Sequence, residues 1–144
     1  MSGPSRSESV FKNEWTMASA REDIESVLQQ VMVMLGEHGW DETSIFAVRL
    51  SFEEGLSNAM HHGNGGDPSR TIQFHLTGGH DGLAAVIVDE GPGYDPDSVP
   101  DPTAEENLTV ASGRGLTLIR AFMTEVTVIA PGNRLEMRYD RPGE

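Results

Sequence analysis

Three stretches of this 144-residue chain set chemically capable side chains beside glycine. The first runs Phe52-Glu53-Glu54-Gly55-Leu56-Ser57-Asn58-Ala59-Met60-His61-His62-Gly63-Asn64 and places Glu54 and Asn58 four residues apart. On a helix that spacing stacks them on one face. The amide oxygen of Asn58 is a hard ligand suited to Mg2+, and the Glu54 carboxylate can take a proton. Alone, the pair reads more readily as solvated helix surface, since most Glu/Asn pairs at this spacing are no more than that.

The second stretch is Asp89-Glu90-Gly91-Pro92-Gly93, at the end of an apolar run. A carboxylate there can accept a hydrogen bond from an exocyclic amine such as that of adenine, and the two glycines let a flat base lie against backbone. An acidic residue opening an ordinary Gly-Pro turn is an equally good reading. The third is Gly113-Arg114-Gly115, ahead of an apolar helical pattern. The first N–H groups of a helix form an anion site, and Arg114 can add a charge-assisted bond to phosphate. The ordinary alternative is a glycine-rich loop with a surface arginine. No Gly-Lys-Ser/Thr follows, and no strand precedes it as a dinucleotide fingerprint requires. His61 and His62 are adjacent, point to different sides of a helix end and lack further ligands at zinc spacing, so a structural or capping role outweighs a metal one.

These stretches need elements to position them. Ile45, Val48, Phe52, Leu56 and Ala59 recur every three or four residues and predict one apolar stripe on the helix carrying Glu54 and Asn58, with Asp41 at its N-cap. An earlier helix has Ile24, Val27, Leu28, Val31, Met34 and Leu35 inward and ends at Gly36. Ser19-Ala20-Arg21-Glu22 reads as its capping box, with Ser19 at the N-cap. Alternation over Phe11 to Met17 predicts an edge strand, and Ile72, Phe74 and Leu76 predict a half-buried one. Gly78 to Gly82 reads as a hairpin loop. The continuous apolar run Leu83 to Val88 predicts a central strand buried on both faces. From Gly91 to Ser112, with Pro92, Pro96, Pro100 and Pro102, no periodicity survives, and the length points to a lid over residues 94–112. Its acidic residues (Asp95, Asp97, Asp101, Glu105 and Glu106) read as a solvated charge run, unfavourable near phosphates unless Mg2+ and Arg114 offset it. Leu116, Ile119, Phe122 and Met123 then face inward on a helix that begins at the Gly113 turn. Val126 to Ile129 and Leu135 to Tyr139 are closing strands.

The bulk numbers bound the class. The length predicts one domain, 10–144, behind a flexible tail at residues 1–9. With 10 basic and 23 acidic residues the formal charge is −13, which opposes binding to nucleic acid or anionic membrane. There is no cysteine, so no disulfide framework and no thiol chemistry. Met1 to Ser9 is polar and no apolar run reaches spanning length, which makes a cytoplasmic protein the expectation.

Together the three stretches are far more specific than any one of them. Glu54-x-x-x-Asn58 with His62-Gly63, then Asp89-x-Gly91-x-Gly93, then Gly113-Arg114-Gly115-Leu116, resemble the asparagine box and two glycine boxes of the gyrase, histidine-kinase and MutL ATP-binding fold. The Glu four before the Asn, the spacing and the small size resemble the branch of anti-sigma-factor serine/threonine kinases. The resemblance spans roughly residues 10 to 140. It implies an α/β (α+β) two-layer sandwich, with a mixed, mainly antiparallel sheet and helices on one face. It also implies ATP and Mg2+ as cofactors. Asn58 would ligate the metal, Asp89 would take the adenine amine, and Gly91 and Gly93 would shape the base pocket. His62 and the segment Gly113, Arg114, Gly115 and Leu116 would complete the nucleotide site, with the glycine backbone on the phosphates. Glu54 would be the general base on a partner's hydroxyl. Tyr94 stands where the family more often has Phe. The only lysine is Lys12, so phosphate charge falls to Mg2+, Arg114 and helix N–H groups. The implied partners are an anti-sigma antagonist that is phosphorylated and a sigma factor that is sequestered. A homodimer, or the docking of a partner, through the edge near Phe11 to Met17 is a further expectation. The competing readings are a non-catalytic nucleotide-binding module that only sequesters a partner, and an ATPase that hydrolyses rather than transfers.

Overall fold

In a computed structural model the residues described are 10–91, 111–129 (backbone only over 111–115) and 132–142. The expected tail at 1–9, Gly93 and nearly all of the expected lid lie outside them. In chain order the elements are β1 (Phe11–Ala18), α1 (Arg21–Glu37), α2 (Glu42–Asn58) continued by one π-helical turn (Ala59–Gly63), β2 (Thr71–Gly78), β3 (Gly82–Val88), α3 (Ala111–Phe122), β4 (Glu125–Ile129) and β5 (Arg134–Asp140). The sheet order is β1-β2-β3-β5-β4, and every neighbouring pair is antiparallel. The expected mixed sheet is therefore replaced, among the described residues, by a wholly antiparallel one. The two-layer sandwich itself is as the sequence implies.

The apolar stripe of α2 faces the sheet: Val48, Phe52 and Leu56 are fully buried, Ala59 nearly so, and Ile45 half-buried. Phe52 meets Phe74 of β2 edge-on, ring centroids 5.1 Å apart. One turn on, Gly55 lets the helix settle on β3 and β5, because a Cβ there would come within 2.7 Å of the Ile87 methyl. That close seating fixes where Glu54 and Asn58 can stand. At the other end of α2, Asp41 caps the helix by accepting Ser44 N–H at 3.1 Å, as its sequence position predicts.

Four expectations need correction. Helix α1 starts after Ala20, with no side-chain cap; Asp23 reaches back to Ala18 N–H at 3.2 Å, and Ser19 Oγ is buried with no hydrogen-bond partner. The capping box fails because an acid one residue later than Glu22 captures the incoming chain. Strand β3 is central but not buried on both faces: Leu83, Ala85 and Ile87 are buried, while Ala84 is exposed and Val86 and Val88 are half-buried. Among the described residues the helices lie on one side only, which leaves the other face of the sheet open. Gly78 and Gly82 belong to the strands, which shortens the hairpin loop to 79–81. Finally, α3 begins at Ala111, so Gly113, Arg114 and Gly115 fall within its first turns rather than ahead of them.

Strand β1 lies at the sheet edge, as expected. Its aromatic residues do not advertise that edge, however. Phe11 is buried against His38, and Trp15 stacks on Phe74 at 5.4 Å while donating to Gln30 of α1.

Candidate functional site

The register of the sheet sets the directions of the helices. Tyr139 near the end of β5 touches Trp40 and bonds Ser44 at the start of α2. Glu125, at the start of β4, pairs with Arg138, so α3 must end at that same end of the molecule. Phe46 and Phe122, in edge contact at 6.3 Å, confirm that the beginning of α2 lies beside the end of α3. The two helices therefore run antiparallel. The last turns of α2, with Glu54 and Asn58 half-exposed on one flank, and the first turns of α3, with Gly113 to Gly115, point toward the same end of the sheet, where β3 delivers Asp89.

After Asn58 the helix widens instead of stopping. Asn64 N–H returns to Ala59 O, five residues back, at 2.8 Å. Single π turns are rare and concentrate at functional sites. Here the turn carries Gly63 against the residues after β3. A Cβ on Gly63 would run into the Asp89 carboxylate, and one on Gly91 would overlap the Gly63 carbonyl oxygen. Glycine is required by close approach rather than dihedral angle, of the Asp89 side chain at Gly63 and of the Gly63 backbone at Gly91.

Asp89 is gripped on several sides. Its N–H donates to Asn133 O at 3.0 Å, and its carbonyl accepts from Asn133 Nδ2 at 3.2 Å. One carboxylate oxygen accepts Gly91 N–H at 2.7 Å. Burial pushes the carboxyl above its ordinary range, although the Gly91 bond and the Arg70 charge pull the other way. Asn64, 1% exposed, accepts Glu90 N–H at 2.8 Å and donates to Thr71 O at 3.1 Å. The Glu90 carboxylate accepts from Thr71 Oγ1 at 2.7 Å and from Thr71 N–H, and these bonds hold it below the ordinary glutamate range. His62 is exposed on the π turn; partial desolvation, then repulsion from His61, lowers its pKa, so the ring is neutral at physiological pH. No group of three or more His, Cys, Asp or Glu side chains that could hold a metal ion occurs among the described residues. Leu116 is 2% exposed and belongs to the core, seating α3 on the sheet.

A model of the histidine kinase-like ATPase domain matches residues 17–139. The chain belongs to that family. A comparison with curated proteins gives no match. The histidine kinase-like domain is an ATP-binding one, so nucleotide binding stands at the coarse level on which the three boxes first pointed to it. No helix among the described residues is long and apolar enough to cross a membrane.

The side chains present fit ATP and Mg2+ by their chemistry. Asn58 offers one neutral oxygen, in keeping with a cation that keeps waters and phosphate oxygens as its other ligands. Asp89 is a desolvated acceptor beside two glycines, which suits the amine edge of a base. Gly93 and the Arg114 side chain fall outside the described residues. Three residues in this histidine kinase-like domain escaped the sequence reading. Arg70 is half-buried, lies near enough to lower the pKa values of Asp89 and Glu90, and adds a cation that the search for lysines overlooked. Asn64 and Asn133 carry no motif signal; only a buried asparagine beside a glycine break could have drawn notice to Asn64.

Proposed function

We propose that the protein is an ATP-dependent serine/threonine kinase of the anti-sigma-factor type, which phosphorylates an antagonist protein and, when free of it, sequesters a sigma factor. The observation that carries this reading is the flank of α2, where Glu54 stands one turn before Asn58 at the end of the molecule that also receives Asp89 and the start of α3. A protein that only bound nucleotide would have no use for a carboxylate beside the metal ligand. Bound ATP with its Mg2+ supplies a transferable phosphoryl group. Asn58 offers its oxygen to the metal, and Asp89 accepts the adenine amine. Gly91 would leave room for the base, a role that the resemblance extends to Gly93. The N–H groups at the start of α3 would meet the phosphates, because a helix N-terminus favours anions, and the resemblance gives Arg114 a share in that role. Glu54 would accept the proton from the partner's serine or threonine hydroxyl as that oxygen bonds to the γ-phosphorus and the bond from phosphorus to the β–γ bridging oxygen breaks, releasing ADP.

The test is transfer of labelled γ-phosphate to purified antagonist-type domains, with release of inorganic phosphate followed in parallel. Label on a partner hydroxyl supports the kinase. Phosphate release without protein label would indicate an ATPase. Nucleotide binding with neither would leave a sequestering module.

A further inference from the structure

Two asparagines outside the recognised motifs hold one peptide unit, the one that follows Asp89. Its carbonyl oxygen accepts Asn133 Nδ2 at 3.2 Å, and its N–H, belonging to Glu90, donates to Asn64 Oδ1 at 2.8 Å. Asn133 reaches it from the turn before β5, and Asn64 from the end of the π turn. Both residues are anchored. The Asn64 carboxamide is buried and spends its other end on Thr71 O at 3.1 Å, while the main-chain carbonyl of Asn133 accepts Asp89 N–H at 3.0 Å. A peptide plane fixed at both its C=O and its N–H cannot rotate, and rotation of that plane is what would carry Gly91 N–H away from the carboxylate it holds at 2.7 Å. The direction in which Asp89 presents its free oxygen is thus set by Asn64 and Asn133 together.

We propose that Asn64 and Asn133 are positioning residues for the nucleotide base, acting through Asp89 to favour adenine over guanine. The inference rests on the nucleotide-binding reading above. Adenine carries an amine donor where guanine carries a carbonyl oxygen, so a correctly aimed carboxylate attracts the first and repels the second. A misaimed one does neither. A buried asparagine that merely glued the loop together would weaken both nucleotides alike.

The experiment measures Mg-ATP and Mg-GTP affinity by calorimetry on the full chain, for wild type, Asn64→Ala, Asn133→Ala, Asp89→Ala and the two doubles with Asp89→Ala. Each asparagine variant should lose about tenfold or more in ATP affinity, the scale of a hydrogen bond to a charged group. GTP affinity should hold or rise, because a misaimed carboxylate no longer repels the guanine carbonyl, and neither variant should weaken ATP much further once Asp89 is gone, since residues acting through one another are non-additive. Asn64→Asp keeps the acceptor for Glu90 N–H and should retain the ATP preference. Losses that add to that of Asp89→Ala, or that fall equally on ATP and GTP, overturn the proposal while leaving nucleotide binding intact. A wild type that binds neither nucleotide overturns the nucleotide reading and this inference with it. Melting curves establish that each variant folds. Asn133 lies in a turn, so Asn133→Ala decides the matter if Asn64→Ala does not fold.

Discussion

At the residue scale, the proposed chemistry rests on side chains that do little for the fold. Glu54 and Asn58 occupy the half-exposed flank of α2, away from the buried line of Val48, Phe52 and Leu56. Their substitution should therefore separate function from stability. Asn58→Ala should keep its melting temperature and lose Mg2+-dependent ATP binding; unchanged Mg-ATP affinity by calorimetry would remove the metal role. Glu54→Gln should bind Mg-ATP nearly as well as wild type but transfer phosphate about 10²–10⁴-fold more slowly, the usual effect of losing a general base. Glutamine keeps the shape, so packing cannot account for a loss. Transfer at near wild-type rate would shift suspicion to Glu53, the adjacent carboxylate, also half-exposed.

At the scale of elements, much could be read from the chain and some could not. The three-and-four spacing of α2 gave its buried stripe and the half-exposed flank of Glu54 and Asn58 together, because on a helix one determines the other. The alternation in β2 likewise found Ile72, Phe74 and Leu76 inward. The π turn left no trace, since Ala59 to Gly63 continues the helical pattern and nothing local distinguishes a bond to the fifth preceding residue from one to the fourth. The outer face of β3 misled for a different reason. Ala84, Val86 and Val88 are small or β-branched residues that tolerate exposure, and they imitate a strand covered on both sides. The grip on Asp89 was illegible because Asn64 and Asn133 reach it across long stretches of chain. Helix and sheet meet where Phe52 crosses Phe74, both fully buried. Phe52→Ala should accordingly lower stability by about 3–5 kcal/mol, the cost of emptying a buried aromatic site. Urea denaturation measures it directly, and a loss well below that range would mean that α2 collapses into the space.

At the scale of the whole molecule, two carboxylates at opposite ends of α2 give the fold opposing responses to pH. The chain carries a formal charge of −13, so each further ionisation works against the others' field. Asp41 is one exception. The Arg141 guanidinium 2.8 Å away, and then the Ser44 N–H it caps, hold its carboxyl far below the ordinary range. Its folded pKa is lower than its unfolded one of about 3.9. Its contribution is therefore present above that value and is lost as pH falls toward the depressed one. Asp89 behaves in the reverse way. Burial raises its folded pKa, so the native state keeps the proton where the unfolded chain has released it, and stability declines as pH rises from about 3.9 through the raised value. Denaturation of Asp41→Asn and Asp89→Asn between acid and neutral pH should separate the two. Relative to wild type, Asp41→Asn should lose stability at neutral pH and converge with it in acid. Asp89→Asn should gain relative to wild type as pH rises, because the amide keeps the shape without the buried charge. A difference for Asp89→Asn that does not move with pH would mean the carboxyl is not desolvated. The same property bears on the ligand. An adenine amine favours the ionised form of Asp89, so ATP affinity should fall as pH drops through its raised pKa, and binding near that pH should release protons. Calorimetry in buffers of different ionisation enthalpy counts those protons, and a count of zero across the acid range would detach Asp89 from the base.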